Sequence, residues 1–484
     1  MAQEFQNYIG GQWLDAQSGE RLEWHDPATG ELLHTFPRSG KADVDAAVAA
    51  AREAFETSDW RLSPEKRITA LKKFAARLRE REGELRTMLI RESGKLFPVA
   101  RSEVTTSVES AEHYAGLINW VYGRANEPSP ESISILLREP LGVVGQITPW
   151  NLPLALFTRP LAPGLAAGCA VVAKPAEQGS GVAALVAQII SEIEEIPAGI
   201  FNLVTGLGEE AGDALARHED VDMINFTGGT DTGRLIMQAA ATNLKKVALE
   251  LGGKSPNIIF ADADFERAVK NALNAAAFWN AGQVCTAGSR LLVEASAHDQ
   301  LVDRLRTMVP ALKIGPTTER VAVGPVISQE QLDRVLSYVE LGKQEAQLVA
   351  GGGGRLTEGP LGKGFFVEPT VFDRVNPNSR LAQEEIFGPV LSVIPFADIE
   401  EAVKIANNTR YGLVAAVWTN DINKALMVAK KVRAGTVWIN TFGKLFHSME
   451  FGGMKQSGLG RHYGLEGLLE FTELKHIHIQ LSGE

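Results

Sequence analysis

Short apolar runs alternate with segments of helical spacing over the central part of the chain. Between residues 147 and 252 the apolar runs predict strands at GQITPW, CAVVAKP, IFNLVTG, DMINFTG and KKVALELGG. Strands that alternate with helices in this way predict a parallel, doubly wound sheet, which binds ligands at the carboxyl ends of its strands. A second alternating unit follows from residue 254 to about residue 441, interrupted by a glycine run at 351–354 that predicts a surface loop.

The two ends of the chain have other patterns. Residues 1–40 predict short strands and turns, and apolar residues at helical spacing follow in KADVDAAVAAAREAF, ITALKKFAARLRE and VESAEHYAGLINWVYG. Pro128 and Pro130 break the last of these helices, and the apolar runs ISILL and LGVVGQI predict two strands around the turn Glu139-Pro140. The C-terminal segment LLEFTELKHIHIQL alternates apolar and polar residues, which is typical of an edge strand.

Composition is that of a globular protein and argues against several kinds of partner. The 484 residues are enough for two or three units with their own cores, and the formal net charge of −11 argues against nucleic acid or an anionic membrane. With only two cysteines, the sequence offers no disulfide framework and no zinc cluster. The N-terminus lacks a signal-peptide pattern, and no apolar run reaches membrane-spanning length. We therefore expect a cytoplasmic protein, and no metal site is predicted.

Residues 247–290 carry the candidate chemistry. They hold Glu250 within VALELGGKSPNIIF and Cys285 within FWNAGQVCTAGSR, and ADADFERAVKNALNAAAFWN between them has the spacing of one amphipathic helix. Asp262 and Asp264 are candidate caps at the start of that helix. A buried strand, the helix and a second strand would bring the carboxylate to face the thiol across a pocket. This arrangement suits covalent catalysis, in which sulfur attacks and the carboxylate activates water.

Each of these residues also has a purely structural interpretation. A lone cysteine is more often a small buried hydrophobic residue than a nucleophile, and Gly282 and Gly288 beside Cys285 also fit an ordinary loop. Glu250 is harder to explain structurally, because ionised carboxylates are seldom buried without a role or a partner. The residues alone leave both interpretations open.

Several segments resemble the motifs of one family. LELGGKSPNIIF and NAGQVCTAGSR are similar to the two signature segments of the NAD(P)-dependent aldehyde dehydrogenase superfamily. The resemblance extends over nearly all of the chain, through TPWNLPL, VVAKPAEQ, FTGGTDTG, EEIFGPV, YGLVAAVWT and FGGMKQSGLGR. The semialdehyde and aromatic-aldehyde branches are the closest in motif.

The resemblance implies an α/β fold with two doubly wound parallel-sheet domains and a projecting oligomerisation β-hairpin. The implied units are a variant Rossmann cofactor domain at 1–123 and 142–251, a catalytic domain at 252–453, and an oligomerisation segment at 124–141 and 454–484. In relatives the C-terminal strand joins the hairpin and oligomers form through it. The implied partners are a small aldehyde and further copies of the chain, as a homodimer or homotetramer.

The family's chemistry, carried over to this chain, assigns roles to three residues. Cys285 would attack the aldehyde carbon to form a thiohemiacetal, whose oxyanion would be held by the Cys285 backbone N–H and the Asn151 amide. After hydride transfer to the nicotinamide leaves a thioester, Glu250 would deprotonate the water that hydrolyses it. Family members that pass the acyl group to coenzyme A lack this glutamate, so its presence favours a free carboxylic acid as product.

The resemblance also implies a cofactor site. Lys174 and Glu177 would hold the adenosine ribose, and the Glu177 carboxylate would repel a 2′-phosphate, which favours NAD over NADP. The helix N-terminus after FTGGTDTG would lie at the pyrophosphate, with Gly229 where relatives usually have Ser. A solvated loop charge at Glu177 and a plain buried strand in IFGPV are the structural alternatives. The full implied set is Ile147, Thr148, Pro149, Trp150, Lys174, Glu177, Phe226, Thr227, Gly228, Gly229, Gly233, Leu251, Glu385 and Phe387.

The implied substrate pocket comprises Leu152, Leu156, Arg159, Trp279, Val284, Thr286 and Phe451. On a helix beginning near Pro153, residues 152, 156 and 159 share one face. Succinate-semialdehyde dehydrogenases have Arg at the place of Arg159 and hold a distal carboxylate with it, but some aromatic-aldehyde dehydrogenases have it too. The second arginine of the semialdehyde enzymes is Trp279 here. We predict a substrate with an anionic or strongly polar group, and aromatic aldehydes are the alternative. Arg159 itself could instead form a structural ion pair.

Two accessory residues of many relatives are replaced in this chain. A lysine beside the substrate tunnel is Pro160 here, and a glutamate after the GxGR motif is His462. Either Glu250 acts with less support, or His462 takes part of its role. The competing hypotheses are NADP use, acyl transfer to coenzyme A, and a non-catalytic protein that kept the fold; Glu177, Glu250 and Cys285 respectively argue against them.

Overall fold

Two large sheets with separate hydrophobic cores form the body of the protein, which the computed structural model describes over residues 2–273, 278–317 and 319–481. The first sheet has eight strands, in the order Gly458–Leu459 (β20), Lys246–Glu250 (β12), Met223–Thr227 (β11), Val143–Thr148 (β8), Ala170–Pro175 (β9), Phe201–Leu203 (β10), Asn7–Ile9 (β2) and Gln12–Leu14 (β3). Strands β8 to β12 run parallel, which confirms the predicted doubly wound sheet.

Most helices of this first unit are long and amphipathic, because their apolar residues recur at helical spacing. The helices of this unit are Lys41–Thr57 (α1), Pro64–Glu80 (α2), Glu82–Ser93 (α3), Phe97–Leu117 (α4), Pro153–Ala167 (α5), Ser180–Ser191 (α6), the short Asp213–Arg217 (α7) and Thr230–Ala240 (α8). A small sheet at the N-terminus consists of Gln3–Glu4 (β1), Leu32–Pro37 (β5) and Arg21–His25 (β4). Helix α2 begins at Pro64, a residue whose fixed φ angle suits the first position of a helix.

The second sheet has seven strands and is also mainly parallel. Their order is Gln347–Ala350 (β15), Thr370–Asp373 (β16), Val390–Phe396 (β17), Arg290–Glu294 (β14), Pro256–Ile259 (β13), Val414–Trp418 (β18) and Thr436–Ile439 (β19). Its helices are Phe265–Asn271 (α9), Ala295–Met308 (α10), Gln329–Glu345 (α11), Arg380–Gln383 (α12), Ile399–Asn407 (α13) and Ile422–Lys431 (α14). Over the described part of the chain, no helix has the length and apolarity needed to cross a membrane.

A third, three-stranded sheet lies outside the two units. Its strands are Thr472–Gln480 (β21), Ser132–Pro140 (β7) and Arg124–Ser129 (β6), and β21 is an edge strand as predicted. The turn predicted at Glu139-Pro140 is wrong, because both residues belong to β7, which pairs with β6 and β21 and not with β8. Helix Gly464–Leu469 (α15) precedes β21, and β20 lies in the first sheet although the sequence assigns it to the oligomerisation segment.

The stretch between the candidate carboxylate and thiol differs from its prediction. Glu250 ends β12 in the first sheet, whereas the apolar run that follows it forms β13 in the second sheet, so the chain changes sheets here. Helix α9 is capped by Asp264, which accepts from Arg267 N at 3.3 Å, and not by Asp262, which accepts from the Thr419 hydroxyl. The predicted helix continued through residues 274–277, which lie outside the described residues.

Two buried carboxylates cap helices of the first unit. Glu92, near the end of α3, accepts from the backbone N–H groups of Gly181 and Val182 at 2.7 and 3.1 Å, in the first turn of α6. Glu103 on α4 accepts from two N–H groups in the first turn of α5, at 3.1 and 3.2 Å. Both helices follow strands whose carboxyl ends carry predicted site residues, so α3 and α4 support that edge of the sheet.

Candidate active site

Cys285 lies in a turn between the short helical turn Trp279–Gly282 and strand β14, where two cavities meet. Asn280 and Ala281 have positive φ angles of 52° and 54°, a backbone conformation that surrounding contacts must maintain. Gly253 passes so close to this turn that an added Cβ would lie 2.4 Å from the Cys285 carbonyl oxygen. The second glycine of LELGG, Gly253, is therefore required by the close packing of the two signature segments.

The two cysteines have different surroundings. Cys285 is half-buried and lines both cavities, whereas Cys169 is fully buried and its thiol donates to the Phe471 carbonyl at 3.4 Å. Burial raises the pKa of the Cys285 thiol to about 12, and the charge of Arg159 opposes this shift. At neutral pH the thiol is therefore protonated, so its attack on a substrate requires that the proton leave.

Glu250 is the last residue of β12 and faces the second cavity, where it lines the wall with Cys285. Its side chain is buried, and Oε1 has no hydrogen-bond partner among the described residues. Burial raises the pKa of Glu250 to about 7, and the charge of Arg159 and the Gly453 N–H lower it in part. A carboxylate with a free oxygen and a pKa near neutrality has the properties of a general base.

Asn151 lies between β8 and α5 and is held at both of its ends. Its side-chain Nδ2 donates to the Gln283 carbonyl at 3.1 Å, two residues before the thiol. Its own backbone carbonyl accepts from the Lys95 ammonium and from Asn280 Nδ2, the latter at 3.1 Å. Because an amide NH₂ carries two hydrogens, one remains for an oxygen of the substrate.

All seven residues of the predicted substrate pocket surround the first cavity, which has a volume of about 340 Å³. Its wall also contains aromatic and acidic residues that were not predicted, among them Phe446, Tyr463 and Glu103. Leu152, Leu156 and Arg159 reach it from the start of α5, as the helical spacing predicted. The cavity is thus mainly apolar, with a few charged groups in fixed places.

Arg159 is a buried cation with unused hydrogen-bonding capacity. Only 3% of the residue is exposed, and Nη2 donates to the Thr227 hydroxyl at 2.9 Å. Its Nε has no hydrogen-bond partner in the described part of the chain, and no carboxylate oxygen of those residues lies within 4.0 Å of its nitrogens. A buried guanidinium without a carboxylate is costly unless a ligand supplies the anion.

The second cavity, of about 870 Å³, collects most of the predicted cofactor residues. Those in its wall are Pro149, Trp150, Thr227, Gly228, Gly229, Leu251, Glu385 and Phe387, together with Asn151, Glu250 and Cys285. Four others, Ile147, Thr148, Phe226 and Gly233, lie outside the wall, in the strands β8 and β11 and the helix α8 that carry it. The cavity therefore forms at the carboxyl edge of the sheet, where α/β proteins bind nucleotides.

Glu385 offers a hydrogen-bond acceptor inside this cavity. Its Oε1 accepts from Gly253 N at 2.9 Å, and a Cβ on Gly252 would lie 2.3 Å from Oε2, so a side chain there would displace the Glu385 carboxylate. Burial raises the pKa of Glu385 to about 7, and the Gly253 N–H opposes the shift. The rings of Trp150 and Phe387 meet edge to face, with centroids 5.3 Å apart, and form an aromatic wall beside it.

Lys174 and Glu177 lie at the end of the neighbouring strand β9 and outside the lining of both cavities. The Lys174 ammonium is 3.2 Å from Glu177 Oε1. Burial lowers the pKa of Lys174, and the charge of Glu177 raises it in part. The Glu177 side chain is 24% exposed, so one face of the carboxylate remains accessible to a ligand.

The wall of the second cavity also contains residues outside the predicted set, among them Arg334, Tyr338, Arg380, Glu384, Arg410 and Tyr411. They bring three arginines to a cavity whose wall also carries the carboxylates of Asp231, Glu250, Glu330, Glu384 and Glu385. The available signal was weak, because a spacing of four residues, as in Arg334 and Tyr338, occurs on many surface helices.

His462 is buried close to the site, and its backbone exchanges two hydrogen bonds with Phe451, both 2.7 Å long. Its Nε2 has no hydrogen-bond partner within the described ranges. Burial and then the charge of Arg159 hold the pKa of His462 well below its usual range. The imidazole is therefore neutral at physiological pH, and its part in proton transfer stays a hypothesis.

Comparison with known proteins agrees with this geometry. Residues 13–477 match the sequence profile of the aldehyde dehydrogenase family. The betaine aldehyde dehydrogenase of Bacillus subtilis (strain 168) is 44% identical over 477 residues, which cover 97% of this chain and 96% of that protein. An aldehyde dehydrogenase of Emericella nidulans is 40% identical over 477 residues, covering 98% and 95%.

The solved structures give the same result for the fold. The crystal structure of betaine aldehyde dehydrogenase from Staphylococcus aureus in complex with NAD+ is 39% identical and superposes with a TM-score of 0.97, covering 99% of this chain and 95% of that one. A point mutant of the aldehyde dehydrogenase from Bacillus cereus superposes with a TM-score of 0.96 at 40% identity, covering 99% and 97%. The predicted resemblance and fold class are confirmed, and the chain belongs to the aldehyde dehydrogenase family.

Proposed function

We propose that the chain oxidises an aldehyde to the carboxylic acid, with NAD as the hydride acceptor and Cys285 as the nucleophile. One observation carries the proposal: the thiol stands between two cavities, and Glu250 and Asn151 line the larger cavity with it. The aldehyde would occupy the smaller cavity and the nucleotide the larger one. Relatives named as aldehyde dehydrogenases, one of them in complex with NAD+, support the use of an aldehyde and NAD.

The first step is attack of Cys285 on the carbonyl carbon. The sulfur–carbon bond forms while the carbonyl π electrons move onto oxygen, and the thiol proton passes to the ionised carboxylate of Glu250. Glu250, with a pKa of about 7, lines the same cavity and is partly ionised at neutral pH. The oxyanion is stabilised by the second Nδ2 hydrogen of Asn151 and by the Cys285 backbone N–H, both fixed before the substrate arrives.

The larger cavity fits a dinucleotide in three respects. Glu385 has a second carboxylate oxygen that would accept from a ribose hydroxyl, and Phe387 and Trp150 form an aromatic wall. Gly229 is the residue before α8, and an added Cβ there would meet no atom closer than 4.0 Å, so the backbone at the start of α8 is open to a phosphate. When bound, NAD supplies the acceptor for the hydride that the thiohemiacetal loses, and the residue on Cys285 is then a thioester.

Hydrolysis of the thioester requires a base, and Glu250 has the position for it. Its unpaired Oε1 accepts the proton of a water molecule as the water oxygen bonds to the acyl carbon. The Cys285 sulfur leaves with the electrons of its bond to carbon, and the products are the carboxylic acid and the free thiol.

A simple assay tests the whole proposal: the purified chain with propionaldehyde and NAD should form NADH and propionate in equal amounts, and addition of coenzyme A should not divert the acyl group. Failure to oxidise any aldehyde in a broad panel would contradict it.

For the nucleotide, replacing Glu177 with serine should change the preference between NAD and NADP. The substitution removes a ribose acceptor and a charge that repels a 2′-phosphate, so we expect kcat/KM to fall about 10-fold with NAD and to rise about 10-fold with NADP. Glu209→Ser is the matched control, because Glu209 is an exposed carboxylate whose charge also acts on Lys174. Equal effects of the two substitutions would mean that Glu177 acts only through its charge and not as a specific acceptor for the ribose.

For the aldehyde, we propose a substrate with an anionic or strongly polar group a few carbons from the carbonyl. The support is Arg159, whose buried guanidinium has an unused Nε and no carboxylate partner among the described residues. Several relatives are named betaine aldehyde dehydrogenases, but a cationic trimethylammonium group would be repelled by this guanidinium. Aromatic aldehydes are the second candidate, because Trp279, Phe446 and Phe451 supply ring contacts in the same cavity.

Arg159→Leu distinguishes these substrates. We expect KM for succinic semialdehyde to rise about 10- to 100-fold, through loss of a charge-assisted pair, while KM for butyraldehyde stays within about threefold. The charge of Arg159 also lowers the pKa of Glu250, so the variant should be slower with every aldehyde near neutral pH. KM should therefore be compared at about pH 9, where Glu250 is ionised in both proteins. An equal rise for both aldehydes would make Arg159 structural, and a preference for benzaldehyde over succinic semialdehyde in the unmodified chain would favour the aromatic alternative.

A homodimer or homotetramer is the proposed assembly. The support is the three-stranded sheet of β6, β7 and β21, which exposes the apolar side chains of Leu474, Ile477 and Ile479. Exposed apolar edge strands of this kind pair with another chain unless they are covered. Light scattering at micromolar concentration measures the mass, and a monomer would contradict the proposal.

A further inference from the structure

A buried lysine outside all the predicted motifs connects the oxyanion amide to the N-terminal helices. Lys95 follows Gly94, which ends α3 in a left-handed conformation, and only 1% of Lys95 is exposed. Its ammonium donates to the backbone carbonyl of Asn151 and lies 3.1 Å from Glu103 Oε1. The same Glu103 caps the first turn of α5 through Oε2.

We infer that Lys95 is a positioning residue for the reaction, which fixes Asn151 in the orientation that stabilises the oxyanion; the inference rests on the proposed function. Asn151 is held at three points, by Lys95 and Asn280 at its carbonyl and by the Gln283 carbonyl at its side chain. Asn280 and Gln283 belong to the turn that carries the thiol. Without Lys95, the two remaining hydrogen bonds to Asn151 both come from this turn, and its carbonyl loses its hydrogen bond to the segment after α3.

The lysine charge is balanced within the protein. Burial lowers the pKa of Lys95 and raises the pKa of Glu103, and each of the two charges opposes the shift of the other. Removal of one partner alone would leave an unpaired buried charge, which destabilises a fold regardless of any role in the reaction. A test must therefore remove both charges together.

Comparison of Lys95→Met/Glu103→Gln with Glu103→Gln meets this condition, because burial lowers the pKa of Lys95 further once the Glu103 charge is gone, and the neutral amine that results still donates to Asn151. Both variants carry a neutral side chain at position 103 that retains an oxygen acceptor for the α5 cap, and they differ only in the donor to Asn151. The measured quantity is the single-turnover rate of NADH formation at saturating aldehyde and NAD. We expect the double variant to be about 10- to 100-fold slower than Glu103→Gln, because small displacements of an oxyanion donor have large effects. Equal rates in the two variants would overturn the inference.

Repetition of the comparison in an Asn151→Ala background separates positioning from general damage. If Lys95 acts through the Asn151 amide, its effect should shrink to less than about twofold once that amide is gone. An undiminished effect would make Lys95 structural and leave the proposed function intact. A single-turnover rate that Asn151→Ala does not change would overturn the oxyanion role and this inference together.

Lys245→Met is the matched control. Lys245 is another buried lysine that donates to backbone carbonyls, those of Ala216 and His218 at 2.9 and 2.6 Å, but it precedes β12 at the amino end of that strand. Its loss should lower the melting temperature without a comparable loss of the single-turnover rate. A rate loss in this control as large as that of the Lys95 pair would show that any buried lysine has the same effect, and would overturn the inference.

Discussion

Replacing Cys285 with alanine should lower NADH formation by about 10⁴-fold or more, because no other described residue lines both cavities with a nucleophilic sulfur. The substitution removes one sulfur from a half-buried position, so NAD affinity and the melting temperature should change little. Stopped-flow measurement of NADH and titration with NAD check the two expectations separately. Turnover above a small background would rule out Cys285 as the nucleophile.

Cys169→Ala provides the matched control for this result. Cys169 is the other cysteine of the chain, and it is fully buried with its thiol bonded to the Phe471 carbonyl. The substitution should lower stability slightly and leave turnover within about twofold of the unmodified chain, since it removes only a small buried group. A large loss of activity in Cys169→Ala would mean that the loss of either cysteine impairs the protein, so the Cys285 result would not identify the nucleophile.

Glu250→Gln should separate the two halves of the reaction. Acylation still proceeds, with the thiol proton passing to solvent in place of Glu250, so one equivalent of NADH should appear per site, after which hydrolysis of the thioester becomes slower by about 10²- to 10⁴-fold. Intact mass spectrometry should then find the acyl group attached to the protein. A uniformly slow reaction without an NADH burst or an adduct would contradict the water-activating role.

The pH dependence gives a second measurement of the same step. Since Glu250 acts in its ionised form and its pKa is about 7, the deacylation rate should rise with pH through this value and level off above it. Glu385 also has a pKa of about 7, so the profile alone does not identify the group. Glu385→Gln should alter NAD binding and NADH formation, whereas only Glu250→Gln should remove the pH dependence of deacylation.

Local patterns predicted much of the molecule from the sequence. The five central strands of the first sheet follow from short apolar runs, and the face of α5 that carries Leu156 and Arg159 follows from helical spacing; the structure has both. The roles given to Cys285, Glu250 and Asn151 came from their motifs, and the structure brings all three to one cavity. These features depend on neighbours close in sequence.

The features that were missed depend on contacts between distant segments. Glu139-Pro140 was predicted as a turn, because the proline signal is local, whereas the pairing of β7 with β21, more than 300 residues later, overrides it. Asp262 and Asp264 were equally good cap candidates by sequence, but the Asp262 carboxylate accepts a hydrogen bond from the distant Thr419 hydroxyl instead. Lys95 had no sequence signal at all, since its partners Asn151 and Glu103 are joined to it only by the fold.

The capping of α5 and α6 by Glu103 and Glu92 has a consequence for protein synthesis. A ribosome makes the chain from its N-terminus, so both carboxylates leave the ribosome before the helices whose first turns they cap. Each of these helices therefore emerges with its capping acceptor already available in the nascent chain. The carboxyl edge of the first sheet at Asn151 is thus supported by Glu92 and Glu103, which are synthesised before it. The turn with Cys285 is synthesised more than a hundred residues later.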